Sequence, residues 1–297
     1  MKSHSLLTAT FGGLVVLLSA SAHASSPPVP QKSESFSVYS TPGRVLVMLR
    51  VADNPPVPVV FDTGTSGNVL DRKLATRYGL PQTGPSSAID GSLGKPVPGF
   101  ETVLKAASLG GVAIADGPAN AIDYDLPDEV GVVGPNSFSG RLVRMDLSAG
   151  RVTIEPKSAS ALPPGPGLAY TGLGGDALPA VELDFGDQTL VAELDTGNNE
   201  PLLLPLSLAK TLNLESPPVK VGWATSASGR QPVYRAKLKG DVRVGPLTLE
   251  HPVVMFIEGG RPNAGLPVAR RLVVVFDPAE QRSWLMAPLN KEGAAVR

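Results

Sequence analysis

The chain has 297 residues, with 27 acidic and 26 basic side chains and a formal net charge of −1 at pH 7. This balance, without a basic run, argues against nucleic acid or an anionic membrane as a partner. The chain has no cysteine, and two of its three histidines lie within the first 24 residues. Disulfides, thiolate chemistry and histidine-rich metal sites are therefore excluded. We expect no metal and no cofactor, so that carboxylates and hydroxyls carry any chemistry.

The first segment of the chain has the pattern of an export signal. Lys2 precedes an apolar stretch at 6–20, and residues 22–24 (Ala-His-Ala) have the small-x-small pattern of a cleavage site. The apolar stretch is too short and too interrupted by threonine and glycine to favour a membrane span. We therefore expect residues 1–24 to be a signal peptide, no membrane anchor after cleavage, and a periplasmic or secreted bacterial protein. Residues 25–35 are expected to form a loose N-terminal arm.

The rest of the chain is dominated by short apolar runs and turn residues. Its 32 glycines and 30 prolines separate Val-, Leu- and Ile-rich runs, which predicts many short strands joined by tight turns. Two segments, 70–80 and 205–214, carry leucines at roughly helical spacing and end near glycine or asparagine. We expect a short helix in each.

The predicted elements occur twice in the same order. The segment VPVVFDTGTSGNVL recurs later in the chain as LVAELDTGNNEPLLL, and this alignment places Asp62 opposite Asp195. Three further segments of the first copy correspond, in the same order, to segments of the second: SLGGVAI to RVGPLTL, GVVGPN to PNAGLP, and RLVRMDLSAGRVTI to RRLVVVFDPAEQRSWL. The repeat predicts two homologous lobes and a Pro/Gly-rich linker between them. The predicted divisions are a first lobe at 36–156, a linker at 157–177, a second lobe at 178–289 and a tail at 290–297.

Each repeat places an aspartate at the end of an apolar run, followed by Thr-Gly. Symmetric packing of the lobes would bring Asp62 and Asp195 together, and two close carboxylates share one proton. The ionised carboxylate can then take a proton from water while the protonated one polarises a carbonyl. One D-T-G alone is an ordinary strand-to-turn corner, but two copies at the same point of a repeat favour the pair. Glycines that let the backbone approach the carboxylates, and threonine hydroxyls that can bond across the lobes, follow the aspartates: Gly64, Gly197, Thr63 and Thr196.

These motifs resemble the two-lobed pepsin/retropepsin superfamily of aspartic proteases. The resemblance covers nearly the whole chain after the leader and is carried by DTGTS at 62–66, DTG at 195–197, VVG at 132–134 and NAGL at 263–266. It implies an all-β fold of two homologous β-barrel-like lobes with short helices. It also implies that Asp62 and Asp195 are the catalytic pair, and that an extended peptide binds between the lobes under a β-hairpin flap.

The chain departs from the family pattern in two places. In pepsins a hydroxyl residue follows each D-T-G and bonds the outer carboxylate oxygen. Thr65 fits this pattern, whereas the second lobe has Asn198, an amide that can still donate. The expected flap, around Gly91 to Gly94, contains no tyrosine, and the matching second-lobe hairpin carries Trp223. We expect these residues to support the pair and to contact substrate, with retuned chemistry.

Glu193 has no counterpart in the family pattern. Because side chains alternate along a strand, it should share the face of Asp195, where the first lobe has Val60. One interpretation is a β-bulge or a solvated sheet edge. The other is that Glu193 lines the cleft, favours a basic substrate side chain and raises the pKa of the aspartate pair through like charge.

Taken together, these features predict an exported, monomeric aspartic endopeptidase acting on peptide or unfolded protein by dyad-activated water. The alternative is a catalytically weak or inactive peptide-binding protein on the same fold, which Asn198 and the missing flap tyrosine favour and the paired carboxylates oppose. A carboxylate-pair glycosidase is disfavoured, because its carboxylates are separated by the sugar and the chain has only two tryptophans for sugar stacking.

Overall fold

The computed structural model describes residues 32–91, 93–123, 130–172, 177–226 and 229–288. The predicted signal peptide and tail, and most of the predicted N-terminal arm, lie outside the described residues. The end of that arm already belongs to a strand that begins at Glu34. Within the described ranges, no helix is both long enough and apolar enough to cross a membrane.

The apolar runs of the sequence form the strands. In the strand over Val45–Val51 every second residue is buried, which is the alternation of a sheet with one face in the core. The strands of the first half are β1 (Glu34–Ser37), β2 (Tyr39–Ser40), β3 (Val45–Val51), β4 (Val57–Phe61), β5 (Asn68–Asp71), β6 (Gly84–Pro85), β7 (Ile89–Asp90), β8 (Lys95–Pro96), β9 (Gly99–Leu104), β10 (Ala107–Leu109), β11 (Val112–Ala113), β12 (Gly117–Ile122), β13 (Gly131–Val133), β14 (Arg141–Asp146) and β15 (Arg151–Pro156).

The second half repeats this series of short strands. They are β16 (Leu168–Ala169), β17 (Ala180–Asp184), β18 (Thr189–Asp195), β19 (Leu202–Pro205), β20 (Val219–Ser226), β21 (Gly229–Lys237), β22 (Val242–Val244), β23 (Leu247–Leu249), β24 (Val253–Ile257), β25 (Asn263–Gly265), β26 (Val273–Asp277) and β27 (Arg282–Met286).

The two lobes have the same strand path. The first-lobe sheet runs β11-β10-β3-β4-β13-β5-β12-β9-β6, with β2 added beside β3, and the second-lobe sheet runs β23-β22-β17-β18-β25-β19-β24-β21-β20. The parallel pairs recur as well: β4 with β13 and β5 with β12 correspond to β18 with β25 and β19 with β24. The all-β fold of two homologous lobes is confirmed.

A third sheet joins the lobes. Its order is β1-β15-β14-β26-β27-β16, so the first-lobe strand β14 pairs directly with the second-lobe strand β26. Every residue of β26 is buried, since that strand lies in the middle of the sheet. The predicted linker also contributes, because β16 pairs with β27 and the Trp284 indole N–H donates to the Gly165 carbonyl at 3.0 Å.

The helices are short. The first predicted helix is α1 (Arg72–Arg77), where the Asp71 carboxylate caps the first turn by accepting from the Leu74 N–H. The second forms a 3₁₀ helix over Leu206–Lys210, a conformation that is common in runs this short. Two further turns, a 3₁₀ helix at Pro135–Phe138 and α2 (Leu266–Ala269), follow β13 and β25 at equivalent points of the repeat.

Candidate active site

The repeat places the two aspartates at equivalent points of the two sheets. Asp62 follows β4, and its N–H donates to the Val133 carbonyl at 2.8 Å. Asp195 is the last residue of β18 and lies opposite Gly265 of β25. In both lobes the aspartate therefore stands where a strand leaves a parallel pair and the backbone turns.

Two buried threonines interlock the turns that carry the aspartates. The Thr63 hydroxyl donates to the Leu194 carbonyl at 2.6 Å and accepts from the Thr196 N–H at 3.1 Å. In return, the Thr196 hydroxyl donates to the Phe61 carbonyl at 3.0 Å and accepts from the Thr63 N–H at 3.0 Å. Both threonine side chains are fully buried, so these four bonds hold the lobes in one register at the site.

The carboxylates of Asp62 and Asp195 both accept a hydrogen bond from the same backbone N–H, that of Gly197. The Gly197 N–H lies 3.0 Å from Asp62 Oδ1 and 2.8 Å from Asp195 Oδ1, and the Gly64 N–H lies 2.8 Å from Asp62 Oδ1. A Cβ on Gly64 would lie 2.5 Å from Asp195 Oδ1, and one on Gly197 would lie 2.5 Å from Asp62 Oδ2. No other residue type fits either position, because the opposite carboxylate occupies that space.

The environment of the pair opposes ionisation of Asp62. Burial, and then the neighbouring charge of Asp195, raise the pKa of the Asp62 carboxyl from 3.8 to about 8, although the Gly64 and Gly197 N–H groups act in the opposite direction. Glu193 is not among the groups that shift this pKa. Burial and the neighbouring charge therefore favour the protonated form of Asp62.

Thr65 does not contact the Asp62 carboxylate in the way that the resemblance implied. Its hydroxyl donates to the Gly67 carbonyl at 2.7 Å. Its methyl group lies against Gly134, where an added Cβ would come within 2.9 Å of Thr65 Cγ2. Packing of the methyl group on this glycine turns the hydroxyl away from the pair, so the expectation for Thr65 is wrong.

In the second lobe, an amide that the sequence analysis missed reaches the carboxylate. Asn263 Nδ2 donates to Asp195 Oδ2 at 2.7 Å, and Asn198 Nδ2 donates to Asn263 Oδ1 at 2.8 Å. Asn198 thus supports Asp195 through Asn263 rather than directly. The available signal was the asparagine two residues before Gly265, at a point where the first-lobe repeat has Val132.

Glu193 lies neither in a β-bulge nor at a sheet edge. It is paired on both sides, with Ala180 of β17 and Asn263 of β25, so that interpretation is wrong. Its carboxylate accepts from Arg261 Nη1 at 2.7 Å, and its side chain is only 14% exposed against 55% for Arg261. Arg261 therefore neutralises Glu193, and the preference for a basic substrate side chain stays a prediction.

A hairpin lies where the flap was expected, and its tip contacts the other lobe. Strands β7 and β8 pair across a turn that contains Gly91 and Gly94, and Gly94 has φ +64°. Leu93, in the same turn, reaches the second lobe: its Cδ1 lies 3.1 Å from the place of a Cβ on Gly229. Gly229 begins β21, so the tips of the β7–β8 and β20–β21 hairpins touch.

Trp223 lies in strand β20 of the β20–β21 hairpin. Its side chain is exposed, with Lys220 Nζ 4.2 Å and Arg230 Cζ 5.7 Å from the ring. These contacts are cation–π interactions within the hairpin. The structure therefore brings Asp62, Asp195 and their threonines and glycines together, whereas the described contacts of Trp223 are with its own hairpin.

The described residues contain no group of three or more histidine, aspartate or glutamate side chains arranged to hold a metal ion. The arrangement that they do contain is a pair of close carboxylates, one of them with a raised pKa, held by backbone N–H groups between two lobes. Such a pair can accept a proton at one carboxyl and donate one at the other.

Comparison with known families agrees with this geometry. The sequence profile of a family described as "Aspartyl protease" matches the chain twice, at residues 47–137 and 181–266. Each match includes one of the two D-T-G turns and the strand that crosses beside it. No individual curated protein matches the chain.

Proposed function

Because the chain belongs to the aspartyl protease family, we propose that it is an exported, monomeric endopeptidase that hydrolyses extended peptides with Asp62 and Asp195. The observation that carries the proposal is the Gly197 N–H, which lies within 3.0 Å of one oxygen from each carboxylate. Carboxylates this close share a proton, which is the arrangement that the chemistry requires; the aspartic-protease dyad is the standard example of it.

The reaction needs one ionised and one protonated carboxyl. The ionised carboxylate takes a proton from a bound water molecule, whose oxygen bonds to the scissile carbonyl carbon, while the protonated carboxyl gives its proton to the carbonyl oxygen. The resulting diol collapses: the C–N bond breaks, the leaving nitrogen receives the proton taken from water, and a hydroxyl proton returns to the other carboxyl. Atoms and charges balance without a cofactor or a covalent intermediate.

The substrate is proposed to be an extended segment of peptide or unfolded protein. The aspartates lie between two lobes, and a hairpin from each lobe reaches across to the other. Extended backbone can pair with such hairpins by main-chain hydrogen bonds, which is a common mode of peptide recognition. Export is proposed from the leader pattern at residues 1–24.

The test uses the protein without residues 1–24 and an unfolded protein substrate, from about pH 3 to about pH 9, the range in which a shared-proton pair titrates. Variants Asp62→Asn and Asp195→Asn run beside the wild type. Asp146→Asn is the matched control, because Asp146 is also repeat-related but caps a turn by accepting from the Ala149 N–H.

We expect the wild type and Asp146→Asn to cleave the substrate and both dyad variants to be inactive. Binding of peptide without cleavage by any folded protein would contradict the proposal and favour the alternative of a peptide-binding protein. Cleavage that persists in either dyad variant would contradict the assignment of the two aspartates.

A further inference from the structure

We propose that Asn263 is a positioning residue that keeps Asp195 ionised and thereby leaves the single proton of the dyad on Asp62. This inference rests on the proposed function for its catalytic consequence, but it concerns the proton distribution in the free protein. It is carried by three consecutive hydrogen bonds in the second lobe: Glu200 N–H to Asn198 Oδ1, Asn198 Nδ2 to Asn263 Oδ1, and Asn263 Nδ2 to Asp195 Oδ2.

The direction of this chain of bonds is fixed by its first member. The Glu200 backbone N–H can only donate, so the Asn198 side chain must present its oxygen at that end and its NH₂ group at the other. The NH₂ group in turn requires the oxygen of Asn263, which leaves the NH₂ group of Asn263 facing Asp195 Oδ2 at 2.7 Å. That oxygen must accept, and a proton on it would oppose the amide donor.

Both oxygens of Asp195 therefore face donors. Oδ1 accepts from the Gly197 N–H at 2.8 Å, and Oδ2 accepts from Asn263. Hydrogen bonds of this kind favour the ionised form of a carboxyl. Asn263 is only 8% exposed, so little water is available to replace this donor.

Asp62 lacks an equivalent donor within the described ranges. The two backbone N–H groups that bond Asp62 both end on Oδ1, and the Thr65 hydroxyl is turned to Gly67. The first-lobe residue equivalent to Asn263 is Val132, which lies opposite Val60 as Asn263 lies opposite Glu193. The repeat has thus diverged to give one aspartate an amide and the other an aliphatic neighbour.

The two carboxyls therefore have different roles in the reaction. Asp195 is the base that takes the proton from water, and Asp62 is the acid that protonates the carbonyl oxygen. The Ser or Thr hydroxyl of the family pattern can donate or accept, whereas this amide relay donates in one direction only. It therefore fixes which lobe carries the negative charge before substrate binds.

The test exchanges the two equivalent residues. In Asn263→Val the second lobe receives the aliphatic side chain of the first, and in Val132→Asn the first lobe gains an amide without any loss from the relay. The pH dependence of kcat/KM is measured for both and for the wild type. Carboxyl ¹³C titration of Asp62 and Asp195 provides a readout that does not depend on activity, and thermal unfolding confirms that each variant is folded.

In Asn263→Val, loss of the donor should move the acid limb of the profile upward by about one pH unit. The free energy of one hydrogen bond to a charged group corresponds to a pKa change of about that size. In Val132→Asn, the basic limb should move to lower pH, since the amide favours ionisation of Asp62. A structural role alone would lower kcat without moving either limb.

An acid limb that coincides in Asn263→Val and the wild type would overturn the inference, as would a ¹³C titration in which Asp195 holds the proton. If the wild type cleaves no substrate, the proposed function fails, and the ¹³C titration still decides where the proton lies. If cleavage is observed and the limbs do not move, the function stands and the role of Asn263 is rejected.

Discussion

At the scale of single residues, the Asp62 carboxyl makes the free energy of unfolding depend on pH. Its pKa is raised from 3.8 to about 8 in the folded protein, first by burial and then by Asp195. A raised pKa means that the folded state holds a proton that the unfolded state releases. The stability that this group contributes is therefore complete below about pH 3.8 and is lost as pH rises to about 8.

The first prediction follows from this sign. Asp62→Asn keeps the shape of the side chain but removes its titration, so the variant should gain stability relative to the wild type as pH rises from about 4 to about 8. The measurement is the thermal midpoint of both proteins across that range, with Asp146→Asn as a control. Melting curves for wild type and Asp62→Asn that run parallel across the range would contradict the raised pKa.

The sequence alone was enough to predict that Asp62 and Asp195 lie together, because each stands in the same motif at the same point of a repeat. It was not enough for Asn263, whose contact with Asp195 depends on how β25 lies beside β18. It was misleading for Thr65, since the pattern shows that a hydroxyl is present but not where the packing of its methyl group turns it.

At the scale of elements, the two hairpins meet at their tips. Leu93 of the β7–β8 hairpin lies against Gly229 of the β20–β21 hairpin, and the chain has no native cysteine. The second prediction is that the double variant Leu93→Cys, Gly229→Cys forms a disulfide under oxidising conditions, because the Leu93 side chain already lies 3.1 Å from the place of a Cβ on Gly229. We expect the crosslink to block entry of an unfolded protein and so to abolish cleavage.

Cleavage by this double variant is compared with and without a reductant. Reductant should restore activity to that of the uncrosslinked protein, and each single cysteine variant should be insensitive to it. Full activity in the crosslinked protein would show that substrate reaches the dyad by another route and would exclude these hairpins as a gate.

The sequence patterns predicted some of the helices and missed others. The leucine spacing at 70–80 identified α1, whose cap Asp71 and following Gly79 are local signals. At 205–214 the same spacing predicted a helix, but only a 3₁₀ turn of five residues forms. The turns that follow β13 and β25 were missed, because four residues are too few to show a helical period.

At the scale of the whole molecule, the threonine interlock and the shared six-stranded sheet hold the lobes together. The third prediction is that Thr63→Val and Thr196→Val each lower the free energy of unfolding by about 1–3 kcal/mol, because each leaves a buried N–H and carbonyl without a partner. Chemical denaturation measures this loss. Activity should fall in the same variants, since the aspartates depend on the same turns.

Thr102→Val is the matched control for the threonine variants. Thr102 is also fully buried, but its hydroxyl has no partner among the described residues. Its replacement by the isosteric valine should therefore be neutral or stabilising. Equal losses in all three variants would indicate that the effect comes from valine packing rather than from the hydrogen bonds between lobes.

The global architecture was largely contained in the internal repeat, because two copies of one strand series predict two copies of one sheet. The way in which the lobes join was not. The pairing of β14 with β26, and of the linker strand β16 with β27, connects segments more than a hundred residues apart, and no local pattern specifies which edges meet.

The union of both lobes in one chain has a consequence for symmetry. An assembly of two identical chains about a two-fold axis must present the same side chains to both aspartates, so any amide beside one would also stand beside the other. A single chain is free of that constraint. Val132 and Asn263 occupy equivalent places and differ, and such a difference can arise by one substitution without altering the opposite half.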